Sequence, residues 1–267
     1  MTVDPDALSN DDLAVSVTDD GHVVRATIDR PEKRNALNAT VVSGLLDVLD
    51  AADEGEPRVV VVRGRDGNFC SGADLSTVPV GEGAQASRRS FSRLSTLVRR
   101  MHTTHALTVA AVEGYCLAGG CGLAAACEFV VAAADAEFGT PEVNVGLFPA
   151  QAMAPIMRAV SEKRGLKLLF TGERISAAEA VEVGLATESV APAEFDARLD
   201  GLVETLAANS PVLISMGKEA YYAQRDMGFD RALSYLKEVV ALLAMSEDTE
   251  EGIDAFLSDR RPEWRGR

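Results

Sequence analysis

The chain has 267 residues, 47% of them hydrophobic and 25% charged, a balance that suits a globular protein with one large core or two modest ones. Its 41 acidic side chains outnumber its 26 basic ones, and a net charge of −15 argues against sequence-independent binding to nucleic acid or to an anionic membrane. No apolar run approaches the roughly 18–20 residues of a membrane span, and the acidic start MTVDPDALSNDD has neither the basic nor the apolar part of a secretory signal, so a cytoplasmic protein is expected.

Residues 1–11 are polar and acidic and read as a disordered N-terminus. Two β-type segments, 13–18 and 22–29, flank Asp19-Asp20-Gly21, a tight hairpin signal. Asn38 is placed to cap a helix that runs to about residue 53. Residues 58–64 (RVVVVRG) form an unbroken β-branched run, as in a strand buried on both faces. A Gly- and Ser-rich loop covers 76–86, and a helix with basic and apolar faces covers 87–102.

The stretch 107–128 (LTVAAVEGYCLAGGCGLAAACE) reads as strand, Gly-rich turn and small-residue helix. A buried strand at 129–133 follows, then Thr140-Pro141-Glu142 with its proline at a helical start. Helical patterns cover 151–160, 162–170 and 176–183, the last with Ser176 and Glu179 spaced as a capping box, before a short strand at 187–190. Beyond residue 193 the strands stop, and amphipathic helices are expected at 194–208, 211–225, 228–245 and 247–258. This is an α/β core at 12–193 followed by an α-helical region at 194–267.

Two loops, 71–74 and 118–120, each leave a buried strand and lead toward a helix, the place where α/β folds tend to bind ligands. Glycine lets a ligand approach the main chain, and the first amides of a helix lack internal partners. If the loops face each other, their amides can grip one oxygen and stabilise an enolate. Proton transfer needs a base, and the carboxylates near Gly-rich turns are Asp74, Glu113, Glu128, Glu137 and Glu142. Glu142 is favoured, because it starts a helical turn beside an apolar segment where burial raises a carboxyl pKa.

Other chemistries lack support. The four cysteines (Cys70, Cys116, Cys121, Cys127) and three histidines show no metal spacing, and no metal site is expected. There is no G-x-S-x-G elbow, G-x-G-x-x-G or P-loop, and Cys121 has no evident histidine partner.

Taken together, these residues resemble the crotonase (enoyl-CoA hydratase/isomerase) superfamily. The resemblance rests on five stretches: Arg30-Pro31 through Asn38, Phe69 through Leu75, Ala111 through Gly120, Phe138 through Glu142, and Phe170 through Leu185. It implies a spiral of ββα units with a C-terminal helical subdomain that completes a homotrimer, often paired into a hexamer. It implies an acyl-CoA substrate, with coenzyme A as part of the thioester and no covalently bound cofactor. It further implies an oxyanion hole from the Ala73 and Gly119 amides, Glu142 as catalytic carboxylate, and coenzyme A contacts from Arg30, Lys33, Arg34, Ala36, Ser71, Gly72, Asp74 and Leu75.

Two departures qualify it. Hydratases of the family use two glutamates, and the first of these positions is Gly122 here. A single carboxylate suits the Δ3,Δ2-enoyl-CoA isomerase pattern, in which one group carries a proton from C2 to C4. The alternatives are a hydratase in which Glu113, Glu128 or another carboxylate substitutes, and an acyl-CoA-binding protein without turnover. Asp259 stands where many members carry a basic residue near the coenzyme, with Arg260 as the candidate substitute. Residues 76–100 and 143–155, with Phe148, Met153 and Met157, are expected to shape the acyl pocket.

Overall fold

The computed structural model describes residues 3–18, 20–79 and 81–267. In chain order the elements are α1 (Pro5–Leu8), β1 (Leu13–Val17), β2 (Val23–Ile28), α2 (Ala39–Glu54), β3 (Val59–Gly64), α3 (Ala84–Thr103), β4 (Leu107–Val112) and β5 (Tyr115–Leu117). They continue with α4 (Gly119–Ala126), β6 (Phe129–Ala133), β7 (Glu137–Gly139), α5 (Ala150–Ala159), α6 (Glu162–Thr171), β8 (Arg174–Ser176), α7 (Ala177–Glu182) and β9 (Glu188–Val190). Four helices close the chain: α8 (Phe195–Ala207), α9 (Pro211–Gln224), α10 (Phe229–Leu243) and α11 (Glu247–Leu257).

Six strands form one sheet in the order β1-β2-β3-β4-β6-β9, antiparallel only at the β1–β2 hairpin. Of the turn expected there, Asp19 lies outside the described residues, while Gly21 has φ +76 as a tight turn requires. A second sheet, β5-β7-β8, was not expected from sequence, since three-residue strands are too short to show a period of two.

The two sheets explain the spiral. Strand β4 leads into β5 and then α4, and β6 leads into β7 and then a 3-10 turn at Pro141–Val145. The same order recurs earlier through isolated bridges, Leu37 to Ala73 and Cys70 to Cys116. Each turn therefore runs from the large sheet through the small one into a helical segment. Ala73, Gly119 and Glu142 all follow the second-sheet passage of successive turns.

Both faces of the large sheet are covered, as the continuous apolar runs of β3 and β4 require. One face packs on α2, α3 and α4 through residues such as Leu45, Leu97 and Leu123. The other takes Phe195, Leu199, Val203 and Leu206 of α8. The first helix after residue 193 thus belongs to the core, which corrects the expected division at 193/194.

The expected disorder of residues 1–11 is corrected for residues 3–11, residues 1 and 2 lying outside the described residues. The Asp4 carboxylate caps α1 by accepting the amides of Asp6 (3.0 Å) and Ala7 (3.5 Å), and Val3 and Leu8 pack on the core. Helix α3 starts three residues earlier than expected, at Ala84.

Candidate active site

The loop after β2 and the loop after β3 are joined edge to edge. Ser71 N donates to Arg34 O at 3.0 Å, Leu37 N to Gly72 O at 2.7 Å and Asp74 N to Leu37 O at 2.8 Å. Because the flanking carbonyl and amide both turn toward Leu37, the Ala73 amide turns the other way. The neighbour on that side is the start of α4. A Cβ built on Gly72 would lie 2.5 Å from Ala118 Cβ and 3.3 Å from Gly119 N, and one on Gly119 would lie 3.7 Å from Ala73 N. Gly72 has φ +106, so both its backbone and the contact with Ala118 demand glycine.

Gly119 is the first residue of α4, where an amide has no intrahelical acceptor. Neither the Ala73 nor the Gly119 amide donates a hydrogen bond among the described residues. Ala118, just before the helix, has φ +54, a conformation that costs a residue with a Cβ about 1–3 kcal/mol. Nothing in the local sequence announces that strain.

Glu142 reaches the same region by the neighbouring strand. Strands β5 and β7 run parallel, with Leu117 beside Gly139, and Ala118 N donates to Gly139 O at 2.8 Å. The strand ends therefore deliver Gly119 and Thr140-Pro141-Glu142 side by side. Thr140 is buried and its Oγ1 donates to Leu168 O at 2.8 Å, which holds the turn on α6. The Glu142 side chain is partly buried, yet its buried Oε2 has no hydrogen-bond partner among the described residues. Burial raises the Glu142 pKa above its ordinary value, and a backbone hydrogen bond opposes this.

The remaining candidate carboxylates are occupied. Asp74 accepts from Ser76 Oγ (2.6 Å) and Arg30 Nη2 (2.9 Å), which hold its pKa down at about 2. Glu113 accepts from Arg63 at 2.7 Å, and Glu137 from Arg174 at 2.9 Å. Glu128 accepts from Tyr222 OH at 2.7 Å, from Thr108 N at 2.7 Å and from the buried Lys218 Nζ at 3.0 Å. The two substitutes considered for the missing glutamate, Glu113 and Glu128, are thus both held in polar networks of their own. Cysteine chemistry is equally unsupported, since all four thiols are buried, and burial pushes Cys70 up to about 12.

Gly122 is closed by packing. A Cβ there would stand 2.7 Å from Ala152 Cα and 2.8 Å from Ala152 Cβ, so α5 rides directly over the position where a first glutamate would begin.

The residues expected to hold coenzyme A divide into two groups. Arg30, Ala36, Gly72 and Asp74 are buried. Arg30 donates to the Ala36 carbonyl (2.7 Å) and to Asp74, so it braces the loop rather than presenting its charge to phosphates. Lys33, Arg34 and Leu75 are exposed, and Ser71 is partly so, with Oγ donating to Lys33 O at 3.1 Å. Arg34 lies over the Tyr115 ring at 5.4 Å, with Arg174 over the same ring at 5.1 Å, an aromatic and a cation that sequence reasoning missed. Arg260 is held by Glu251 and Asp254, both at 2.6 Å, so it is not free to replace the basic residue absent at Asp259.

Of the expected acyl-pocket residues, Phe148 packs on Phe170 at 5.1 Å and Met157 lies against Gly165. Thr77, Val78, Ser90, Phe91 and Leu94 instead line a cavity of about 260 Å³ that reaches Ala73.

Comparison with known proteins gives the family. The enoyl-CoA hydratase/isomerase family model matches residues 18–267. The chain belongs to that family, and it is a crotonase-fold acyl-CoA enzyme. It is 33% identical over 238 residues to human enoyl-CoA hydratase domain-containing protein 3, mitochondrial, covering 89% of this chain and 78% of the relative. It is 30% identical over 248 residues to the short-chain-enoyl-CoA hydratase of Clostridium acetobutylicum, covering 91% and 94%. The crystal structure of an enoyl-CoA hydratase from Mycobacterium smegmatis superposes with a TM-score of 0.91 at 30% identity, covering 96% of this chain and 99% of the other.

Proposed function

We propose that the protein isomerises 3-enoyl-CoA to 2-enoyl-CoA thioesters with Glu142 as its sole acid and base. The carboxylate takes a proton from C2, the electrons pass into a dienolate, and the same group returns the proton to C4. The double bond moves from C3–C4 to C2–C3, and no atom is gained or lost. Ala73 and Gly119 donate their amides to the thioester oxygen, where the dienolate charge develops. Lys33 and Arg34 meet the coenzyme A phosphates, and the chain works as a homotrimer or a hexamer.

One observation carries this reading: the buried Glu142 Oε2 has no partner among the described residues, while Asp74, Glu113, Glu128 and Glu137 are each engaged. Hydration is the second reading, favoured by the hydratase names of the relatives. It calls for a group to hold and activate water opposite Glu142, and Gly122 supplies none.

Glu142→Gln is expected to lower turnover of a 3-enoyl-CoA by about 10²–10⁴-fold while calorimetry still detects thioester binding. An unchanged rate would remove Glu142 from the mechanism.

A further inference from the structure

Helix α3 is the least acidic segment of an acidic chain. Its twenty residues (AQASRRSFSRLSTLVRRMHT) include five arginines and no carboxylate. Four of these arginines, Arg88, Arg89, Arg93 and Arg99, have no salt bridge among the described residues, whereas Arg100 is paired with Asp50 and Asp53. Arg93 differs from the other three in its place. It lines the 260 Å³ cavity, and its Nη1 donates to Ser43 Oγ of α2 at 2.6 Å.

The cavity is continuous with the oxyanion pair. Ala73 is one of its walls, and a Cβ on Gly119 would touch Leu94 Cδ2 at 3.7 Å and Leu37 Cδ1 at 3.8 Å, both of which also line it. Val42, Val78 and Phe91 extend the apolar surface. An acyl chain whose carbonyl sits at Ala73 and Gly119 can run along this surface toward Arg93.

We infer that the enzyme takes acyl-CoA thioesters whose chain ends in a carboxylate, with Arg93 as the specificity-determining residue. The inference rests on the acyl-CoA reading above. A guanidinium offers two parallel N–H groups to a carboxylate, and the side-chain oxygen that Arg93 binds among the described residues is a neutral hydroxyl. Arg93 is exposed at the wall of this largely apolar cavity and has no carboxylate partner among the described residues, so it is available to an anion that enters from outside.

The test is binding of saturated thioesters, which need no turnover, measured by calorimetry on the full-length protein. Two matched pairs are compared: adipoyl-CoA with hexanoyl-CoA, and suberoyl-CoA with octanoyl-CoA. In at least one pair the carboxylate-ended ligand is expected to bind about tenfold more tightly. Arg93→Met should bring that ratio to about one, Arg93→Lys should leave it intermediate, and Ser43→Ala should keep it. The two milder variants carry the test if Arg93→Met does not fold.

No preference in either pair would overturn the inference, as would a preference that survives Arg93→Met. Equal weakening of both members of a pair by Arg93→Met, with no wild-type preference, would show that Arg93 serves the coenzyme phosphates. Failure of every thioester and of coenzyme A itself to bind would remove the acyl-CoA reading as well.

Discussion

Glu142 stands at the start of a 3-10 turn whose first residue is a proline, with one carboxylate oxygen buried and without a partner among the described residues. Burial disfavours the charged form, so the proton is held to higher pH than the ordinary 4.5. A base must be ionised to act, so activity falls as pH drops through this raised value. The acid limb of the kcat/KM profile is expected above pH 4.5, and a limb at or below 4.5 would show that the group in control is not desolvated. The stability effect has the opposite sign. The folded protein holds this proton more tightly than the unfolded chain, so the group contributes most at low pH, and that contribution is lost as pH rises through the folded pKa. The helical turn that carries Glu142 could be read from sequence because it is written locally, in Thr140-Pro141-Glu142. The bracing role of Arg30 could not, because it depends on Asp74, 44 residues away.

Elements with a long period or a clear cap were legible. The Asn38 side chain accepts from Val41 N, and Ser176 and Glu179 form the reciprocal capping box that their spacing indicates. The β5-β7-β8 sheet was not legible, although it aligns the strand ends that carry Gly119 and Glu142. The closing of Gly122 was equally hidden, since only the α4–α5 crossing reveals it. Gly122→Glu is therefore expected not to create a hydratase. The added side chain must push the α5 backbone away, at a cost of about 1–3 kcal/mol, readable as a lower midpoint in denaturant. Efficient hydration of a trans-2-enoyl-CoA by that variant, with the midpoint unchanged, would show that α5 yields freely.

For the whole molecule, the ββα spiral is what turns distant sequence into one site: three successive turns end at Ala73, Gly119 and Glu142. Three of the five motifs, Phe69 through Leu75, Ala111 through Gly120 and Phe138 through Glu142, contain such a turn end. Packing within one chain leaves apolar side chains of the helical tail uncovered, including Phe229 (77% exposed), Met245 (83%) and Phe256 (84%). Such a surface suits the subunit association proposed above. Sedimentation is expected to give a trimer or hexamer, with Phe256→Asp shifting it toward smaller species. A wild-type monomer at micromolar concentration would contradict the proposed assembly.

If one carboxylate carries the chemistry, the products formed from two isomeric thioesters reveal it. The purified protein is given a 3-enoyl-CoA and, separately, a trans-2-enoyl-CoA, and the products are separated by chromatography. Conversion of the first to its 2-enoyl isomer, with no 3-hydroxyacyl-CoA from the second, is the expected result. Hydration of the second at a rate comparable to isomerisation of the first would contradict the single-carboxylate mechanism.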